Sequence, residues 1–141
     1  MSENIFPFVS YQKAKEYVGQ KTIPREYAWD FNNNNFILEN GRIKILEGAE
    51  ALKVWICKML KTPRYRYLIY SWNYGSELEE LIGKGHASST VQNEVKRLLQ
   101  DALAINSNIK GVENVNLTFQ RDRLDISFTA VTDYGEVIIN V

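Results

Sequence analysis

The C-terminal third of the chain alternates apolar and polar residues three times in succession. Val115, Leu117 and Phe119 alternate with polar neighbours. The pattern resumes after Arg121-Asp122 at Leu124, Ile126, Phe128 and Ala130. It resumes again after Asp133-Tyr134-Gly135 at Val137, Ile139 and Val141. A period of two places every apolar side chain of a strand on one face. Short turns between such runs join antiparallel neighbours, so the segment predicts a three-strand meander with one apolar face. That face needs cover, and the upstream sequence must supply it. The 141 residues suit one domain, because two domains of half that length would each bury a poor core.

Helical periodicity upstream provides the cover. Between Glu47 and Lys61, Leu52, Trp55, Ile56, Met59 and Leu60 follow the i, i+3, i+4, i+7, i+8 rule and form one stripe. Glu47 and Glu50 sit near the start of this helix and Lys58 and Lys61 near its end, as the helix dipole favours. Pro63 closes it, because the residue before a proline avoids helical geometry. A short helix is expected over Ser76 to Ile82, with Leu78, Leu81 and Ile82 inward and Gly83 as the stop. A third helix starts at Ser88 or Ser89, where Ser89 and Gln92 have capping-box spacing. It buries Val91, Val95, Leu98, Leu99, Ala102 and Leu103 and ends near Asn106.

The N-terminal part reads as strand and turn. Tyr27, Trp29 and Phe31 alternate with Ala28 and Asp30, and Asn32 to Asn35 form a turn, since asparagine tolerates left-handed backbone. Phe36 to Leu38 and Arg42 to Ile45 flank Glu39-Asn40-Gly41, and Asn-Gly between apolar runs signals a hairpin. The expected architecture is α+β: three helices packed on one face of an antiparallel sheet, with a C-terminal three-strand meander and an N-terminal hairpin. Residues 1–26 show no clean period. They mix Phe6, Phe8, Tyr11 and Tyr17 with Lys13, Lys15 and Lys21, and read as an arm lying on the domain or on a partner. The domain proper is expected over 27–141. Arg64 to Tyr74, RYRYLIYSWNY, is either a strand or an extended packed loop.

Chemistry is hard to assemble from these residues. Lys plus Arg and Asp plus Glu each number 17, so the net charge is zero; nucleic-acid-binding domains usually carry a basic excess. The balance is uneven along the chain: 11 basic and 7 acidic residues over 1–70, against 6 and 10 over 71–141. That polarity suits two faces of one domain or a subunit oriented in an assembly. Cys57 is the single cysteine, which excludes an internal disulfide and suits a reducing compartment. The first ten residues lack the pattern of a secretory signal, and no apolar run approaches the roughly 20 residues that span a bilayer. Synthesis and folding in a cytoplasm are expected.

His86 is the single histidine and has no cysteine cluster to complete a metal site. Gly83-x-Gly85 does not extend to a phosphate-binding fingerprint. Glu77, Glu79 and Glu80 are the densest acids, and glycoside hydrolysis needs two acids facing across a cleft. Here they read as the solvated side of a helix. Lys53, Lys58, Lys61, Arg64 and Arg66 precede a run of aromatics, in the manner of a single-strand nucleic-acid platform. Two arginines among four tyrosines and a tryptophan fit a protein-interface hot spot at least as well. No catalytic set, cofactor or metal is expected.

The stretches Tyr27-Ala-Trp29-Asp-Phe31 and Gly48-Ala-Glu-Ala-Leu-Lys, and above all the run Leu60 to Leu78 with Thr62-Pro-Arg64-Tyr-Arg66, resemble the XkdS-like proteins of PBSX-type defective prophages. The closing segments Val115 to Phe119, Leu124 to Phe128 and Tyr134-Gly135-Glu136 fit the same pattern. Through them the chain resembles the wider gene-25-like baseplate wedge family of contractile tails. Pro63 and the extra tyrosines depart from the wider family's form.

The resemblance implies a structural subunit of a phage tail, tailocin or defective prophage, located in the baseplate. It would be present in several copies of a symmetric assembly. Its partners would be other wedge proteins, hub and tube proteins, and the first ring of sheath, with neither nucleic acid nor membrane. Expected partner-binding residues are Arg64, Arg66, Tyr70, Trp72 and Tyr74 in the aromatic run, and Val137, Ile139 and Val141 at an exposed sheet edge. A lysozyme-like cell-wall glycosidase is the alternative reading.

Overall fold

The computed structural model describes residues 22–64, 74–81, 88–120 and 123–141. The first six strands are short: β1 (Arg25–Tyr27), β2 (Trp29–Asp30), β3 (Asn35–Phe36), β4 (Leu38–Glu39), β5 (Arg42–Ile43) and β6 (Ile45–Glu47). Helix α1 (Ala49–Lys61), a 3-10 turn (Leu78–Leu81) and helix α2 (Ser88–Leu103) follow. The chain closes with β7 (Ile109–Gln120), β8 (Arg123–Thr132) and β9 (Gly135–Asn140).

The expected meander is present, with β8 central and antiparallel to both β7 and β9. Phe128 opposes Ile139 and Ala130 opposes Val137. Directly opposed residues share a face, and all four are buried there with Val112 and Ile126. Leu52, Ile56 and Met59 of α1 and Val95, Leu99 and Leu103 of α2 are fully buried as well. Each such aliphatic side chain contributes about 1.5–3 kcal/mol through removal from water.

Helix α1 lies on β9 and α2 on β7. Gly48, just before α1, sits beside the Tyr134 ring; a Cβ there would lie 3.7 Å from its Cδ1. At the other end Leu60, Lys61 and Pro63 share a recess with Ile126 and Val141. Helix α1 therefore runs alongside β9 in the same direction, end to end.

Several elements differ from expectation for local reasons. Among the described residues there are two α-helices, not three. The segment expected as a helix over Ser76 to Ile82 is the 3-10 turn Leu78–Leu81. Ser76 is bonded to the chain at Pro63 instead, and one remaining turn cannot propagate a helix. Glu47 belongs to β6, opposite Arg25, with Arg25 Nε 3.0 Å from Glu47 Oε1. Gly48 turns the chain at φ 65°, and α1 begins only at Ala49. Ser89 lies inside α2, and Gln92 Nε2 donates to the Val115 carbonyl at 3.3 Å rather than closing a capping box. In β7, Asn114 at φ 52° accompanies a register shift between Glu113 and Asn116. That bulge lets Val112 and Val115, an odd number of residues apart, face the same core.

The N-terminal strands form two small hairpins and one antiparallel pair that closes around them, meeting at one point. Strand β1 pairs with β6, β2 with β3 and β4 with β5. At the junction Ala28 N–H donates to the Lys44 carbonyl, Lys44 N–H to Ile37, and Ile37 N–H to Ala28, at 2.8, 2.9 and 3.0 Å. The ring closes on itself and satisfies three amides at the branch. Asp30 holds the asparagine turn by accepting from Asn32 N, Asn33 N and Asn33 Nδ2. The hairpin at Asn40-Gly41 has both residues at positive φ, as its turn type requires. Arg25 and Glu26 already belong to β1, and residues 1–21 of the expected arm lie outside the described residues.

Candidate functional site

The chain leaves α1 through Thr62-Pro63-Arg64 and returns through Gly75-Ser76. Arg64 N–H donates to the Ser76 carbonyl at 3.0 Å, and Ser76 N–H donates to Thr62 at 2.9 Å. The Ser76 hydroxyl donates to the Leu60 carbonyl and the Thr62 hydroxyl to Lys58, so side chains bond two carbonyls of the last helical turn. Gly75 has φ 105°, and a Cβ there would lie 2.7 Å from the Thr62 carbonyl oxygen. Only glycine passes this neck without strain. The aromatic excursion thus starts and ends at one tightly bonded point.

Arg64 sits at that neck, its guanidinium NH1 3.9 Å from Glu77 Oε1 and its side chain 15% exposed. Tyr74 packs edge-to-face on Trp55 of α1, centroids 6.2 Å apart. Arg66, Tyr70 and Trp72 lie outside the described residues, as does His86.

The second candidate surface is the sheet edge. Val141 and Ile126 exchange both backbone hydrogen bonds at 2.8 Å. Antiparallel pairs alternate, so the backbone groups of Ile139, Val137 and Gly135 also face β8. Those of Asn140, Ile138 and Glu136 face outward, where no described strand pairs with them. The side chains of Val137 and Ile139 are buried in the core. What the edge offers a partner is therefore the backbone of Glu136, Ile138 and Asn140, with the Ile138 side chain 64% exposed. These three residues were not singled out in the sequence.

The two edges of the sheet are not alike. Strand β7 carries two register shifts against β8, and Gln92 of α2 occupies the Val115 carbonyl. Bulges and covering side chains guard an edge against strand addition. Strand β9 holds an unbroken register over its length and carries no proline or lysine.

Beside β9 lies a cleft of about 480 Å3, walled by α1 and the N-terminal strand unit β1–β6. Trp29, Ile37, Val54 and Cys57 give it an apolar interior, and Asn140 of β9 forms part of its border. Among the described residues, Lys44, Lys53 and Lys61 line it together with one carboxylate, Glu50. Lys61 Nζ also stands 4.7 Å over the Phe31 ring. Burial pushes the Cys57 thiol above its ordinary pKa, against the opposing pull of Lys53 and Lys61.

The basic run seen in the sequence is divided by the fold. Lys58 turns away from the cleft to Glu26, Nζ to Oε2 3.1 Å, and Arg64 faces Glu77. A single-strand nucleic-acid platform needs these charges on one face. Among the described residues the cleft is lined by one carboxylate, where glycoside hydrolysis uses two. Glu77 contacts Arg64 instead, and the side chains of Glu79 and Glu80 lie outside those described.

In this small α+β subunit, among the described residues, one sheet edge is bulged and bonded by Gln92 and the other is regular and unpaired, an arrangement suited to assembly. Residues 25–135 match the model of the contractile injection system sheath initiators, and the chain belongs to that family. It is 34% identical over 104 residues to the phage-like element PBSX protein XkdS of Bacillus subtilis (strain 168), which covers 72% of this chain and 74% of that protein. It is thus an XkdS-like contractile-tail protein of prophage type, with a structural role in sheath initiation.

Proposed function

We propose that β9 is the docking edge of this sheath initiator, where the first sheath subunit adds a strand to the meander. The unequal edges carry this reading: β7 is bulged and covered, whereas β9 is regular and, among the described residues, open along Glu136, Ile138 and Asn140. Backbone pairing and burial of apolar area supply the association energy, and no turnover chemistry is required. The neck at Arg64 and the excursion bearing Arg66, Tyr70 and Trp72 form the second contact, toward wedge, hub and tube proteins of a symmetric baseplate. An aromatic-rich segment whose two ends are bonded to each other, with Arg64 beside them, suits such an interface. The subunit acts as a structural adaptor, not as a cell-wall glycosidase.

Removing residues 137–141 would strip Val137 and Ile139 from the core, so a point variant probes the edge more cleanly. Proline at position 138 deletes an outward N–H and leaves every bond to β8 in place. Ile138→Pro is expected to keep the melting temperature within a few degrees and to abolish sheath attachment in reconstituted particles. Ile138→Ala retains attachment. Normal sheathed particles from Ile138→Pro would refute the docking edge.

A further inference from the structure

We propose that the segment docking on β9 is an extended, net-acidic strand of the sheath subunit that seats an apolar side chain in the cleft beside α1. This rests on the reading of β9 as the docking edge and adds the chemistry of what docks there.

Helix α1 runs alongside β9, so a strand added to the open edge lies along the helix. Its cleft-facing stripe contains Lys53, Cys57 and Lys61, spaced four residues apart. Four helical residues rise about 6 Å. Residues two apart in a strand are separated by about 6.6–6.8 Å and point the same way. An added strand therefore presents successive same-face side chains nearly in step with Lys53, Cys57 and Lys61. The chemistry that matches is carboxylate, apolar, carboxylate at alternate positions.

The apolar member fits the interior made by Trp29, Ile37, Val54 and Cys57. The flanking carboxylates meet the ammonium groups of Lys53 and Lys61, with Lys44 on the opposite wall. Among the described residues, three ammonium groups face this cleft against the carboxylate of Glu50. Among the described residues none of the three lysines has a carboxylate within ion-pair distance; the ion pair of Lys58 with Glu26 is the contrast on the same helix. A basic strand would meet like charge, and an uncharged one would leave the lysines unanswered as water is displaced.

The test uses the full chain and the sheath subunit of the same particle, with affinity measured at about 50 mM and about 300 mM salt. Lys53→Glu combined with Lys61→Glu is expected to weaken sheath binding about tenfold or more at low salt and to flatten its salt dependence. Both side chains are exposed, so circular dichroism should report an unchanged fold. Lys96→Glu, on the exposed face of α2, makes the same kind of charge change away from the cleft and leaves affinity within about twofold. Sheath binding should also slow alkylation of Cys57, the single cysteine of this chain, by N-ethylmaleimide, followed on its own peptide by mass spectrometry. Equal affinity of the double variant and the Lys96→Glu control would overturn the inference. If Ile138→Pro still abolishes binding in that case, the docking edge survives and the acidic segment falls. If Ile138→Pro also binds normally, the docking edge falls as well.

Discussion

The Ser76 hydroxyl donates to the carbonyl oxygen of Leu60 at 2.7 Å, tying the returning chain to the last turn of α1. Ser76 is buried, and the last carbonyls of a helix have no partner within it. Ser76→Ala should therefore leave a buried acceptor without its bond and cost about 1–3 kcal/mol. Urea denaturation with an unchanged m-value would show this as a lowered midpoint. An unchanged midpoint would mean that the neck is held by its backbone bonds alone.

Arg64 tests whether the neck serves the fold or the assembly. Its guanidinium lies near Glu77 across a largely buried gap. If Arg64 contacts a wedge protein, Arg64→Ala should reduce binding to purified wedge partners about tenfold or more, as truncation of a hot-spot arginine does. Its melting temperature should then fall by only a few degrees. Unchanged binding with a sharply lowered melting temperature would assign Arg64 to its own domain.

Asp30 makes the asparagine turn sensitive to acid. The Asn33 side chain, followed by the backbone amides of Asn33 and Asn32, holds its carboxyl below the ordinary value. A depressed folded pKa contributes stability that is fully present above the unfolded value of about 3.9 and is lost as pH falls through the folded one. The melting-temperature difference between the wild type and Asp30→Asn should thus be constant above about pH 5 and shrink below about pH 4. A difference that grows on acidification would reverse the sign of this linkage.

The meander was legible because both its faces and its turns are written locally. Leu124, Ile126, Phe128 and Ala130 keep strict alternation, and the turn at Asp133-Tyr134-Gly135 breaks it cleanly. Strand β7 was legible only from Val115 onward, although it starts at Ile109, because the bulge at Asn114 shifts the phase between Val112 and Val115. The helix expected over Ser76 to Ile82 failed because its first residue is drawn to Leu60 and Pro63, contacts distant in sequence. Among the described strands β9 is an outer strand of its sheet, and Val137 and Ile139 were singled out by their hydrophobicity, which is what buries them. Which backbone groups point outward follows from register with Ile126 and Ser127, and no residue type encodes that. The cleft was invisible because Trp29, Ile37, Cys57 and Asn140 come from four separate segments.

The docking edge is tested most directly by hydrogen exchange at the amides of Glu136, Ile138 and Asn140, free and in complex with sheath subunits. In the free chain these outward N–H groups should exchange rapidly, while those of Val137 and Ile139, bonded to β8, are protected. On sheath binding all three outward amides should become protected together, as a newly formed ladder requires. Unchanged rapid exchange at Ile138 in a saturated complex would contradict strand addition at β9.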